Sequence, residues 1–258
     1  MNIAPKIRSL FNPSMYQGWG NSRKYFEGWY FKVVNAPETK AFAFIPGISM
    51  NESGEKIAFI QVLDGREKKS EFHEYEFSSF RPSGEKFALS IGNNLFSASG
   101  MKLELPEVKG ELSFTGNRGC PNPWYAPGIM GPYTFAPFME YSHEVVSMDH
   151  SLSGTLTING RETDFTGGRL TSLDATVTEI ELEFRNRSHV LRVSAPADTA
   201  TPLAAPVKGM MGGRIEESMT SAITLTLTER GTGRIVYTGE GRNACIEKSG
   251  DMQTLSQR

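Results

Sequence analysis

The chain has 258 residues, enough for one large β domain or two smaller ones, and enough to bury a substantial core. Its 27 basic and 29 acidic side chains are interspersed and sum to a net charge of -2, so there is no basic stripe to neutralise a phosphate backbone and nucleic acid is excluded as a partner. No window approaches the run of about 18 to 20 apolar residues that a membrane-spanning helix needs, so the expectation is a soluble protein, at most peripheral to a membrane.

The N-terminus, MNIAPKIRSLFNPSMYQG, contains Pro5 and Pro13 and lacks the apolar core of a signal peptide, which predicts a cytoplasmic location. Residues Arg23 to Lys32 read RKYFEGWYFK. As a strand this stretch puts Tyr25, Glu27, Trp29 and Phe31 on one face and Phe26, Gly28 and Tyr30 on the other. Both faces are apolar or aromatic, so a carboxylate is flanked by rings. An unpaired charge there is costly. Glu27 must therefore pair with a base such as Arg23 or Lys24, or carry a raised pKa. The simpler expectation is an ion pair that fixes the first strand.

About seven or eight candidate strands follow between Lys24 and Phe114, enough to curl an antiparallel sheet into a small barrel. Asp64-Gly65 and Gly92-Asn93-Asn94 punctuate them with turn chemistry. Next comes GNRGCPNPWYAPGIMGPYTFAPF, residues 116–138, with five prolines and the rings Trp124, Tyr125, Tyr133, Phe135 and Phe138. Proline cannot donate to a ladder, so this is no central strand. Its rings are expected to bury against the mouths of flanking β units, and Trp124 and Phe138 become candidate ligand contacts. The division is thus a first half over 1–115, a connector over 116–138 and a second half over 139–258.

In FMEYSHEVVSMDH, Phe138 to His150, period two places Met139, Tyr141, His143 and Val145 on one face. A His beside a tyrosine hydroxyl can relay a proton, although a His satisfied inside a core is the commoner case. Asn159-Gly160 then separates two alternating runs and predicts a tight type I′ hairpin. Val177 to Phe184 alternates Ile180, Leu182 and Phe184 with glutamates, and Ile223 to Thr228 alternates with threonines, as half-buried strands do. Arg214 to Ala222 is expected to form one or two helical turns, flanked by glycines. Gly231-Thr232-Gly233 predicts another turn. The class is all-β.

Cys120 and Cys245 lack CxxC spacing, and the four histidines show neither HxH nor HExxH. Free thiols and no structural metal are expected.

Three ordered blocks carry a family resemblance. GNSRKYFEGWYFKV (Gly20 to Val33), APFMEYSHEVVSMDHSLSGTLTINGRETDF (Ala136 to Phe165) and the run from Ser188 to Arg230, with Pro-Leu-x-Ala-Pro at Pro202 to Pro206, resemble the tocopherol cyclase family over nearly the whole chain. The resemblance implies two lipocalin-like antiparallel β-barrel halves and ring closure of a prenylated quinol. That chemistry begins when an acid protonates a trisubstituted alkene in a dry aromatic pocket, and it needs no metal or organic cofactor. It implies Glu27 or His143 as the acid and Trp29, Tyr30 and Tyr141 as pocket walls, with a small hydrophobic substrate as partner. Carriage of a lipid or terpenoid without catalysis is the alternative.

One departure matters. The family carries a glycine-rich, acidic, tryptophan-containing motif and several strands where Gly168 here joins Arg169 directly. The second half is therefore expected to lack a segment that holds a candidate acid. A real loss predicts a half-open sheet or a homodimer. A join across an omitted segment is the alternative, and the cost of unpaired edges favours it.

Overall fold

The computed structural model describes residues 3–118, 123–125, 146–147, 149–171, 174–175, 179–196, 201–207 and 210–248. The chain opens with helix α1 (Ile3–Leu10), whose Pro5 falls in the first turn, where its missing N–H breaks no helical bond. Ten strands follow: β1 (Tyr25–Gly28), β2 (Phe31–Val34), β3 (Ala41–Met50), β4 (Lys56–Asp64), β5 (Lys69–Glu76), β6 (Phe80–Pro82), β7 (Ala88–Ile91), β8 (Asn94–Ser97), β9 (Gly100–Glu104) and β10 (Val108–Arg118). Beyond the connector come β11 (Asp149–Ile158), β12 (Arg161–Asp164), β13 (Arg169–Thr171), β14 (Asp174–Ala175) and β15 (Glu179–Arg185). The last are β16 (His189–Pro196), β17 (Thr201–Val207), β18 (Met210–Glu229) and β19 (Ile235–Lys248). The protein is all-β, as the period-two pattern predicts. No helix among the described residues is long and apolar enough to cross a membrane.

The strands form two sheets among the described residues. The larger has 13 strands in the order β5-β4-β3-β2-β13-β11-β10-β9-β8-β7-β6, with β1 added to β3 and β12 to β11. Its ladder does not break at the connector: β10 pairs antiparallel with β11, Val108 opposite Ile158, and β13 joins β11 to Val34 of β2. Strands that follow the connector in sequence therefore complete the sheet that precedes it.

The two edges of that order, β5 and β6, are neighbours in the chain, separated only by a 3-10 turn at Phe77–Ser79. The sheet curls until the side-chain amide of Asn94 in β8 donates to the Tyr75 hydroxyl of β5 at 3.4 Å. No ladder joins β5 to β6, so the sheet is curled but not closed into a barrel. Its inner face carries one continuous core that includes Val33, Phe44, Ile48, Ile60, Ile91, Phe96, Leu103 and Leu156.

The smaller sheet runs β14-β19-β18-β16-β15 with β17 on β18, and its β14–β19 pair is parallel. It packs on the outer face of the first sheet, where Val34, Ala41, Ala43 and Leu63 meet Leu203 and Met219. The alanines let the backbones approach. Ser70 Oγ adds a bond to the Pro202 carbonyl at 2.8 Å.

Local turn chemistry holds where it was strongest: Asn159 and Gly160 take φ of 49° and 76°, and β11 and β12 pair across them with Ile158 opposite Arg161. Two expectations are corrected. Arg214 to Ala222 is not helical but lies within the 20-residue strand β18, which pairs with β16, β17 and β19. In the connector, Trp124 and Tyr125 are 77% and 62% exposed rather than buried against a β unit.

Candidate functional site

Glu27 lies opposite Ile48 in the β1–β3 ladder, and Ile48 belongs to the inner core. Directly paired residues share a face, so Glu27 points inward with Trp29 and Phe31, as the alternation predicts. Its partners are not the expected bases. Lys24 reaches Glu52 instead, at 2.8 Å, and no cation lies within ion-pair distance of Glu27 among the described residues.

The segment after α1 folds over the carboxylate. Gln17 N–H donates to both Glu27 oxygens at 3.0 Å, Gly18 N–H to Oε2 at 3.2 Å and the Tyr25 hydroxyl to Oε2 at 2.7 Å. The Gln17 side-chain amide pins this segment to the carbonyls of Met15 and Ser9, at 2.7 and 3.0 Å. A Cβ at position 18 would sit 2.5 Å from Tyr16 Oη and from the Tyr25 ring, so a larger residue there would have to displace these rings from the carboxylate. Burial pushes the Glu27 carboxyl up to about 7, against the downward pull of the bonds from Tyr25, Gln17 and Gly18. Burial first, and the nearby Glu27 second, raise the phenols of Tyr16 and Tyr25 well above the usual range. Near neutrality part of the population therefore keeps its proton on this buried carboxyl.

A row of rings leads away from it. Tyr16 packs on Phe80 with centroids 5.2 Å apart, Phe80 on Trp29 at 6.2 Å, and Trp29 on Phe87 at 6.3 Å. Phe87 continues to Phe31 at 6.0 Å, Phe31 to Phe114 at 6.2 Å, and Phe114 to His150 at 4.6 Å. Trp29 is held in place by its indole N–H, which donates to the Ser14 carbonyl at 2.9 Å. A groove of about 450 Å³ opens at the Phe87 and Phe114 end, bordered by Lys86, Ser97 and Asn117.

His150, paired opposite Leu170, is buried against Phe114 with Nδ1 3.2 Å from Ser147 Oγ and no hydrogen-bond partner on Nε2. Burial pushes its pKa down, chiefly by desolvation, so the ring is neutral. A neutral imidazole with a free nitrogen can pass or receive a proton. Sequence reasoning gave that role to His143, which with Tyr141 and Phe138 lies outside the described residues. The signal for His150 was present in the period-two pattern of β11, where Leu152 and Leu156 share the inner core.

Tyr30 does not join Trp29 on the inner face. Its hydroxyl donates to Glu217 Oε1 of β18, and the residue is 42% exposed between the sheets. Lys32, on the same outward face, is also buried there, as is Glu217. Tyr30 is thus an inter-sheet contact rather than an interior wall. Tyr30→Phe withdraws a donor from a buried carboxylate and is expected to cost about 1 to 3 kcal/mol. Urea unfolding measures it, and an unchanged midpoint would show that the bond contributes nothing. Trp124 stands exposed, edge-on to Tyr125 at 5.8 Å.

No family model, no curated protein and no solved structure matches this chain.

Proposed function

We propose that the chain acts on an isoprenoid by acid catalysis of the tocopherol cyclase type, with Glu27 as the proton donor. The observation that carries this reading is a cation-free carboxyl, protonated in part near neutrality, on a ring-lined inner face. Three sequence blocks that resemble the tocopherol cyclases support it. We read the curled sheet as a lipocalin-like barrel left open at the seam between β5 and β6.

In this reading the Glu27 O–H bond breaks as a C–H bond forms at the less substituted alkene carbon, leaving a tertiary cation that the faces of neighbouring rings stabilise. The substrate's own phenol oxygen then forms the C–O bond, and its proton returns to the carboxylate. The sequence is a net isomerisation. Substrate must reach a carboxyl that Gln17, Gly18 and Tyr25 now cover, so the segment over it has to lift.

That cover, and a groove bordered by Phe87 and Phe114 rather than by Glu27, favour a second reading as a carrier of a hydrophobic ligand. A prenylated quinol added to the wild-type protein, with chromanol followed by chromatography, separates the two. Cyclisation that falls by about 100-fold or more in Glu27→Gln, with ligand binding retained, is the expected result. Equal turnover in wild type and variant would remove Glu27 as donor. Binding without any product would favour the carrier.

A further inference from the structure

A second polar cluster lies away from Glu27. Glu71 and His73 stand two residues apart on β5 and so share a face, and curling of the sheet brings Glu107, in the turn between β9 and β10, against them. His73 Nε2 is 3.5 Å from Glu107 Oε2 and 3.8 Å from Glu71 Oε2, and the three ligand-type atoms lie within 4.8 Å of one another.

These separations are too long for hydrogen bonds, and His73 Nε2 and Glu107 Oε2 are both buried without a hydrogen-bond partner. A cation seated between them would satisfy both atoms, which now meet only at ion-pair distance. A tetrahedral ion with bonds of about 2.0 to 2.1 Å holds its ligand atoms about 3.4 Å apart, close to the spacing found here. One imidazole and two carboxylates form a donor set suited to a borderline divalent ion, with a fourth position left for water.

We propose that Glu71, His73 and Glu107 bind one divalent first-row transition-metal ion of the zinc class. The ion clips β5, an edge of the large sheet, to the β9–β10 turn and so braces the curl that no ladder closes. The site is independent of the chemistry assigned to Glu27. These ligands form no local HxH or HExxH motif and meet only through tertiary curling, so the sequence pattern predicts no metal here.

The metal-free full-length chain should be titrated with Zn²⁺ in a calorimeter and with Co²⁺ by visible absorption. The expected result is one ion per chain, a tetrahedral cobalt spectrum and a raised unfolding temperature with zinc. His73→Ala and the nearly isosteric Glu107→Gln should each weaken binding by about tenfold or more and remove the thermal shift. Circular dichroism checks that both variants fold. Absence of saturable binding by the wild type would overturn the proposal, as would undiminished affinity in both folded variants.

Discussion

Raising the pH from about 4.5 to about 7 is expected to destabilise the wild-type fold by up to about 3 kcal/mol through Glu27, and Glu27→Gln should abolish that loss. The carboxyl titrates near 4.5 when solvated and at about 7 when folded. Between those values the folded state holds a proton that the unfolded chain has released, so stability falls as pH rises. Below the window both states are protonated, and above it both are ionised. His150 works in the opposite direction, because its pKa is lowered on folding and its protonation at acid pH favours the unfolded chain. The difference between wild type and variant isolates the Glu27 contribution. Urea unfolding of both proteins across the window measures it; parallel pH profiles would show that Glu27 titrates normally. The amide cannot accept all the bonds that the carboxylate takes from Gln17, Gly18 and Tyr25, so a pH-independent loss is expected on top.

Gly168→Ala is expected to unfold the protein or to cost more than about 4 kcal/mol. A Cβ at this position would lie 2.2 Å from the Val34 carbonyl oxygen, 2.9 Å from that of Phe165 and 3.1 Å from Asn35 Cα. All three are backbone atoms, so no side-chain rotation relieves the clash. The neighbouring strand would have to move, and it is β2, tied to β13 through the single pair Arg169 and Val34. That pair joins β2–β5 to β11 and the strands beyond it in one sheet. Thermal unfolding of the purified variant is the check. A variant that melts with the wild type would mean that the ladder gives way there at no cost.

Local chemistry made some features legible and left others hidden. The Asn159-Gly160 hairpin could be read because two adjacent residues determine it. The direction of Glu27 followed from alternation in RKYFEGWYFK, since strand geometry leaves only two faces. Its partners did not follow. Apart from the Tyr25 hydroxyl on its own face, the donors are backbone N–H groups from Gln17 and Gly18, which carry no mark in a sequence, while Lys24 pairs with Glu52 and Arg23 is exposed. The same logic explains β18, where the run Arg214 to Ala222, which local propensity allows to turn as a helix, is held extended by β17 and β19. Alternation separates Tyr30 from Trp29, which the family resemblance groups as pocket walls, and the structure follows alternation. The meeting of His73 with Glu107 required the curl itself.

Selective ¹³C labelling of glutamate carboxyls, with the Glu27 resonance assigned by its loss in Glu27→Gln, gives the most direct test. A titration midpoint at about 7 is expected in the folded protein. A midpoint at or below that of solvated glutamate, about 4.5, would contradict this and leave the proposed proton donor without a proton to give.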